Sequence, residues 1–221
     1  MRLTATVNCQ LSKWLCQCLV LLVWLASTNA HAEYLGLING RTANTMQSTD
    51  LAAELGLVTG DLDRFDYQNI AARVSYRLND ETTLIGNIGT SEFGESDGTP
   101  YGLGLIYQLS RQRMSDKLHL AGKLSYHEGG YEFRNANADL ASLAIELLFS
   151  GKQPLADNLD WYTNVGYHRI SVELASSDST NELGIGAGLV MSTGLGEAYV
   201  GFDHIQEFVI GIGFRYFVQR P

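Results

Sequence analysis

Seven ionisable side chains, Arg73, Arg77, His119, Lys123, Glu146, His168 and Arg215, fall on the polar face of a series of alternating segments. Gathered on one wall, they could pair and stiffen an interior, line a narrow ion path, or catalyse. Glu146 is alone among cations and would be costly if buried unpaired. It is therefore expected to pair with one or more of Arg73, Lys123 and Arg215. Catalysis needs a nucleophile and base within hydrogen-bond reach, and usually a third, orienting group. The candidates are His127 with Glu128, His168 with Ser171, and Asp203 with His204. No Gly-x-Ser-x-Gly string and no triad spacing accompanies them, so a non-enzymatic chain is expected. No catalytic, cofactor-binding or metal-binding residue is assigned and no cofactor is expected. Asp61-Leu62-Asp63 does not complete a calcium-loop pattern.

The elements that would carry these charges are extended. Near the end of the chain, Phe208, Ile210, Ile212, Phe214 and Tyr216 alternate with Val209, Gly211, Gly213 and Arg215. Period two puts the bulky groups on one face and the small or charged ones on the other. The same unit recurs: about ten residues of alternation, then a break. The segments are 34–45, 67–78, 82–91, 101–110, 117–126, 140–150, 159–170, 182–191, 198–203 and 208–217. This predicts an all-β chain, a closed antiparallel up-and-down transmembrane β-barrel of ten strands, with eight as the alternative if the weak segment at 82–91 or the 198–216 stretch is read differently. A soluble ligand-binding barrel would keep its apolar face inside; here too many bulky groups share one face to fit a small interior. Longer connections are expected at 47–66, 92–99, 127–139, 171–181 and 204–207 on one side, and shorter ones, at 79–80, 112–116, 151–158 and 192–197, on the other. Tyr67, Tyr76, Tyr101, Tyr107, Tyr126, Phe149, Trp161, Tyr167, Phe208 and Tyr216 sit near strand ends, where two aromatic girdles would lie. Gly184, Gly186, Gly188, Gly211 and Gly213 leave room on one inner wall.

The N-terminus reads as an export signal. Arg2 and Lys13 precede the apolar run LVLLVWLA at 19–26, and Ala30-His31-Ala32 supplies a small-x-small cleavage pattern. A signal peptide at 1–32 and a single barrel domain at 33–221 are expected. Cys9, Cys16 and Cys18 all fall in the signal, so the mature chain would have no thiol or disulfide. Losing Arg2 and Lys13 takes the formal charge from −9 to about −11, which argues against nucleic acid as a partner. The first long connection is acidic, with Asp50, Glu54, Asp61, Asp63 and Asp66 against Arg64, and reads as a solvated loop surface.

The signal, the meander over nearly the whole mature chain, and Gly211-Ile212-Gly213-Phe214-Arg215-Tyr216 together carry a family resemblance. The chain resembles the small outer-membrane β-barrel proteins of Gram-negative bacteria, of the OmpA/OmpX and opacity-protein type, without a periplasmic domain. The resemblance implies a monomer in the cell outer membrane, in contact with lipid and lipopolysaccharide, delivered by the barrel assembly machinery. That machinery would read the terminal strand, which here continues past Tyr216. The role implied is structural, in envelope integrity or surface adhesion. A small passive porin-like pore is the second reading, and an outer-membrane enzyme acting on lipid A or surface substrates the third.

Overall fold

A computed structural model of the chain describes residues 35–44, 46, 49–62, 65–109, 118–133, 136–154, 156–173 and 177–218. The chain divides into Met1–Ala30 and His31–Pro221, and all described residues belong to the second unit. The expected signal peptide and its cysteines lie outside the described residues.

Ten strands follow one another: β1 (Leu51–Leu62), β2 (Phe65–Arg77), β3 (Thr82–Phe93), β4 (Ser96–Gln108), β5 (Leu118–Phe133), β6 (Ala136–Lys152), β7 (Leu159–Glu173), β8 (Ser177–Ser192), β9 (Gly196–Ile205) and β10 (Glu207–Val218). Each pairs antiparallel with the next, and β10 pairs with β1 from Leu51↔Val218 to Gly60↔Val209, closing the sheet. Closure removes the sheet edges that hydrocarbon could not satisfy.

Alternation decides the two faces. Leu55, Leu103, Ile145, Val165, Ile185 and Ile212 are exposed on the outside, Leu103 at 72%. Their chain neighbours Glu54, Glu146, Asn164 and Gly211 are buried inside, as is Arg215 between Phe214 and Tyr216. A barrel with an oily exterior and a polar interior is the inverse of a soluble one.

Beyond the oily band, toward the β1–β2, β3–β4, β5–β6 and β7–β8 hairpins, the faces exchange character. Tyr67, Phe93, Tyr131, Leu140 and Ile170 point inward and are buried, while Glu92, Asp97 and Glu132 are exposed. That rim is built like an ordinary water-exposed sheet around an apolar core. Tyr67 therefore belongs to the interior of the rim and not to the outward girdle expected of it.

Two sequence expectations are corrected. Residues 35–44 carry no strand: Gly36 and Gly40 have φ of +102° and +57°, which breaks an extended ladder. The first strand is instead β1, inside the stretch read as an acidic loop. Leu51, Ala53, Leu55 and Thr59 point outward and Ala52, Glu54, Gly56 and Val58 inward, so its period is regular. The connections at 92–99, 127–139 and 171–181 are also strand for most of their length. β5 and β6 keep pairing to Phe133↔Ala136, because their main-chain groups find partners in each other beyond the lipid band as well as within it.

Candidate functional site

The inner wall is the place where chemistry-bearing groups converge, and it is occupied by the chain itself. Residues 35–43 are all buried. They touch strands all around the barrel: Asn69 Nδ2 of β2 donates to the Gly36 carbonyl at 2.8 Å, and Ser150 Oγ of β6 accepts from the Ala43 amide at 2.9 Å. Asn44 Nδ2 lies 3.4 Å from His119 Nε2 of β5. Only a segment running through the lumen can reach opposite walls in this way. It descends from the level of Gly129, near the hairpin rim, to that of His119, near the start of β5. β1 then rises from the far mouth.

Glycines make the passage. A Cβ on Gly211 would lie 2.7 Å from Ile38, and one on Gly56 would lie 3.0 Å from Leu37. The room foreseen on the β10 wall is thus filled by this segment and by Tyr199, which lies against Gly213. On β8, the inward side chains of His168, Asn164 and Tyr162 fill the space beside Gly184, Gly186 and Gly188. Two small pockets lie beside the segment among the described residues. A pocket of about 20 Å³ is lined by Arg41, Asn44, Arg77 and Gln108 among others, and one of about 30 Å³ by Leu35, Lys123, His127 and His168 among others. Each is on the scale of a water molecule or two.

Glu54 organises the charges. Its register partners are Arg73 on β2 and Arg215 on β10. Arg73 Nη1 donates to Oε1 at 3.0 Å and Arg215 Nε to Oε2 at 3.0 Å. From the threaded segment, Arg41 Nη2 reaches Oε2 at 3.1 Å, and Tyr199 Oη completes the set on Oε1 at 2.8 Å. Four donors fill the four lone-pair sites of one carboxylate. Arg215 also donates to its other register partner, Glu197, at 2.6 Å, and its guanidinium lies 5.7 Å from the Tyr199 ring centre. Three guanidiniums face two carboxylates here. The surplus positive charge is met by main-chain carbonyls of the segment, whose oxygens accept from Arg73 and Arg215.

The other expected charges fall into place around this cluster. Lys123 Nζ lies 2.6 Å from Glu146 Oε2, across a register pair, and Asn164 Nδ2 donates to Glu146 Oε1 at 3.0 Å. Of the three cations expected for Glu146, Lys123 takes it, while Arg73 and Arg215 turn to Glu54. Arg77 sits at the far mouth, where its Nη2 and Nε both donate to Asp50 Oδ1. His168 is buried beside Lys123 and Glu146, and His119 meets Asn44. Phe208, Ile210, Ile212, Phe214 and Tyr216 are exposed on the outer face of β10.

Glu54, Glu197, Tyr199 and Arg41 were missed as partners. The alternation of 51–60 was the available signal for Glu54, and Glu197 and Tyr199 stand one strand away from Arg215 on the same face. The three candidate dyads are each divided between the two faces: His127 lies 3.0 Å from Asn87 inside, whereas Glu128 accepts from Tyr126 outside. Asp203 is buried and His204 exposed, and three positions separate His168 from Ser171 on one strand.

Closure, the oily exterior and the charged interior decide the architecture. It is that of an outer-membrane β-barrel. Among solved structures, the chain is similar to the translocator domain of autotransporter NalP from Neisseria meningitidis, at 10% identity over 97% of this chain and 98% of that one, with a TM-score of 0.40. It is also similar to the KdgM porin, at 12% identity over 76% and 99% of the two chains and a TM-score of 0.39. Outer membrane phospholipase A from Escherichia coli is similar at 10% identity over 80% and 98%, with a TM-score of 0.37. No protein-family model matches the sequence. No curated protein matches it either.

Proposed function

We propose that this protein is a non-enzymatic, non-conducting integral barrel of the outer membrane, serving the envelope as a structural or surface component. The observation that carries this reading is the threaded segment 35–44, buried along the lumen and tied to the wall through Glu54, Arg73 and Arg215. An ion path needs continuous water-filled space. The pockets beside the segment, of about 20 and 30 Å³, do not supply it. The division of the histidine and acid candidates between opposite faces supports the non-enzymatic half of the reading. Export through a cleaved signal at 1–32, delivery by the assembly machinery, contact with lipopolysaccharide and a monomeric state belong to the same proposal.

The test is conductance in planar bilayers, recorded on protein whose folded state has been confirmed by heat-modifiable migration in a gel. Silence is the expected result. A steady, reproducible conductance from the intact protein would overturn the closed-barrel reading in favour of a small pore.

A further inference from the structure

The threaded segment is held in an unusual way. Five successive main-chain carbonyls, those of Gly36, Leu37, Ile38, Asn39 and Gly40, each accept from a wall side chain. Asn69 takes the first at 2.8 Å. Arg73 takes the next three, Nη2 donating to Leu37 at 2.8 Å and Ile38 at 3.0 Å, and Nη1 to Asn39 at 3.2 Å. Arg215 Nη2 takes the fifth at 2.8 Å. Every polypeptide offers carbonyls, so these contacts hold the segment without reading its side chains.

The two arginine donors also have partners on the wall itself. Arg73 and Arg215 are fixed by Glu54 through strand register, and Arg215 is fixed again by Glu197. A wall whose donors are pre-positioned loses little freedom when a chain settles on it.

Side-chain selection falls at particular places. Ile38 is fully buried in the space beside Gly211, and Leu35 and Leu37 are buried in the same apolar cluster. Gly36 has φ of +102°, which favours glycine there as well. Gly40 has φ of +57° and lies against Tyr199, where a Cβ would come within 2.5 Å of the ring. Arg41 donates to Glu54 and to Ser75 Oγ, both at 3.1 Å. Between Asn44 and β1 only residues 45–50 join the segment to the barrel wall.

We propose that the inner wall is a binding site for an extended polypeptide, occupied in cis by segment 35–44 and able to take a separate peptide of the same chemistry. The ligand class is a chain with a short apolar run that includes a glycine, then, two positions after its last apolar residue, a second glycine followed directly by an arginine. This rests on the reading that the segment closes the lumen, which conductance of the intact protein tests on its own.

To test it, a protease site is inserted at 47–48 in the full chain, and the folded protein is cut there. Fluorescein-labelled peptide of the sequence 35–46 is added, and its anisotropy is followed. Unlabelled competitors are the same peptide, one with residues 39 and 42–46 scrambled but Leu35, Gly36, Leu37, Ile38, Gly40 and Arg41 kept, and one carrying Arg41→Ala. The cut barrel is expected to take up the label. The first two competitors should agree within about threefold, and the Arg41→Ala peptide should be weaker by about tenfold or more, as loss of a charged hydrogen bond implies. Three results would overturn the proposal: no uptake by a cut protein that keeps its folded migration, uptake indifferent to Arg41→Ala, or unfolding on cutting. The last would make the segment part of the fold and not a ligand. Uncut protein carrying Arg41→Ala is a second check. It is expected to take up labelled native peptide that the unaltered uncut protein excludes, and equal exclusion by both would also count against exchange.

Discussion

Glu54 and Arg215 face each other across the seam where the last strand closes on the first, with Nε donating to Oε2 at 3.0 Å over 161 positions of sequence. On its other side Glu54 faces Arg73. One carboxylate thus ties β10, β1, β2 and the threaded segment together. Glu54→Gln would leave three buried guanidiniums around a neutral group. Breaking such a pair costs about 3–5 kcal/mol. The temperature at which the folded gel band converts to the unfolded one should fall sharply. Combining Glu54→Gln with Arg41→Met removes one of the unpaired charges and should recover part of the loss. An unchanged conversion temperature in the single variant would refute this role for Glu54.

Arg41 uses one nitrogen, Nη2, for both of its side-chain contacts. A lysine ammonium can supply the same point charge, although arginine and lysine are not generally interchangeable. Arg41→Lys should therefore stay silent in bilayers, whereas Arg41→Ala should show intermittent openings as the segment loses its charged anchor. Equal behaviour of the two would mean that the carbonyl contacts alone retain the segment.

Gly211 is required by close approach, since a Cβ there would lie 2.7 Å from the fully buried Ile38. Gly211→Val fits the strand propensity of β10 but overfills the interior. The expected outcome is a barrel that still migrates as folded, yet conducts because the segment is displaced. Folded migration with undiminished silence would show that Ile38 can move aside.

The wall of the barrel was legible because lipid on one side and packed polar groups on the other impose a strict period of two. Strands such as 208–217 and 182–191 show it without interruption, and Arg215, Arg73, Lys123 and Glu146 could be placed inward from that alone. Segment 35–44 was not legible. Its apolar residues, Leu35, Leu37 and Ile38, resemble a strand, and nothing local says that Arg41 has a carboxylate waiting across the lumen. Glu54 was hidden by its company: Asp50, Asp61, Asp63 and Asp66 made the stretch look solvated, although Leu51, Leu55 and Leu57 kept the alternation. The rim was obscured for a different reason. Above the lipid band the period persists but its sense reverses, so Tyr131 and Leu140 point inward while Glu132 faces out.

Glu146 lies 2.6 Å from Lys123 and accepts from Asn164, on a part of the wall that holds none of the residues, Asn69, Arg73 and Arg215, that donate to the five carbonyls of the segment. Glu146→Gln should lower the conversion temperature by stranding Lys123, at a cost of order 3 kcal/mol. It should leave the bilayer record silent. Conductance appearing in this variant would mean that the Lys123–Glu146 pair, and not the threaded segment, closes the lumen.

The orientation of the faces can be tested at a position where water and lipid give opposite answers. Leu103 is 72% exposed on the outer face of β4, flanked by the inward Gly102 and Gly104. On a protein surrounded by water, replacing so exposed a leucine by arginine changes stability by about 0.5 kcal/mol at most. In the middle of a bilayer the same change costs about 2–4 kcal/mol. Glu132, exposed on the polar rim of β5, serves as the control, because arginine there stays in water. Leu103→Arg should slow folding into vesicles and lower the conversion temperature, while Glu132→Arg should do neither. If both variants fold alike into vesicles, Leu103 does not contact hydrocarbon, and the oily exterior must be covered by something other than lipid.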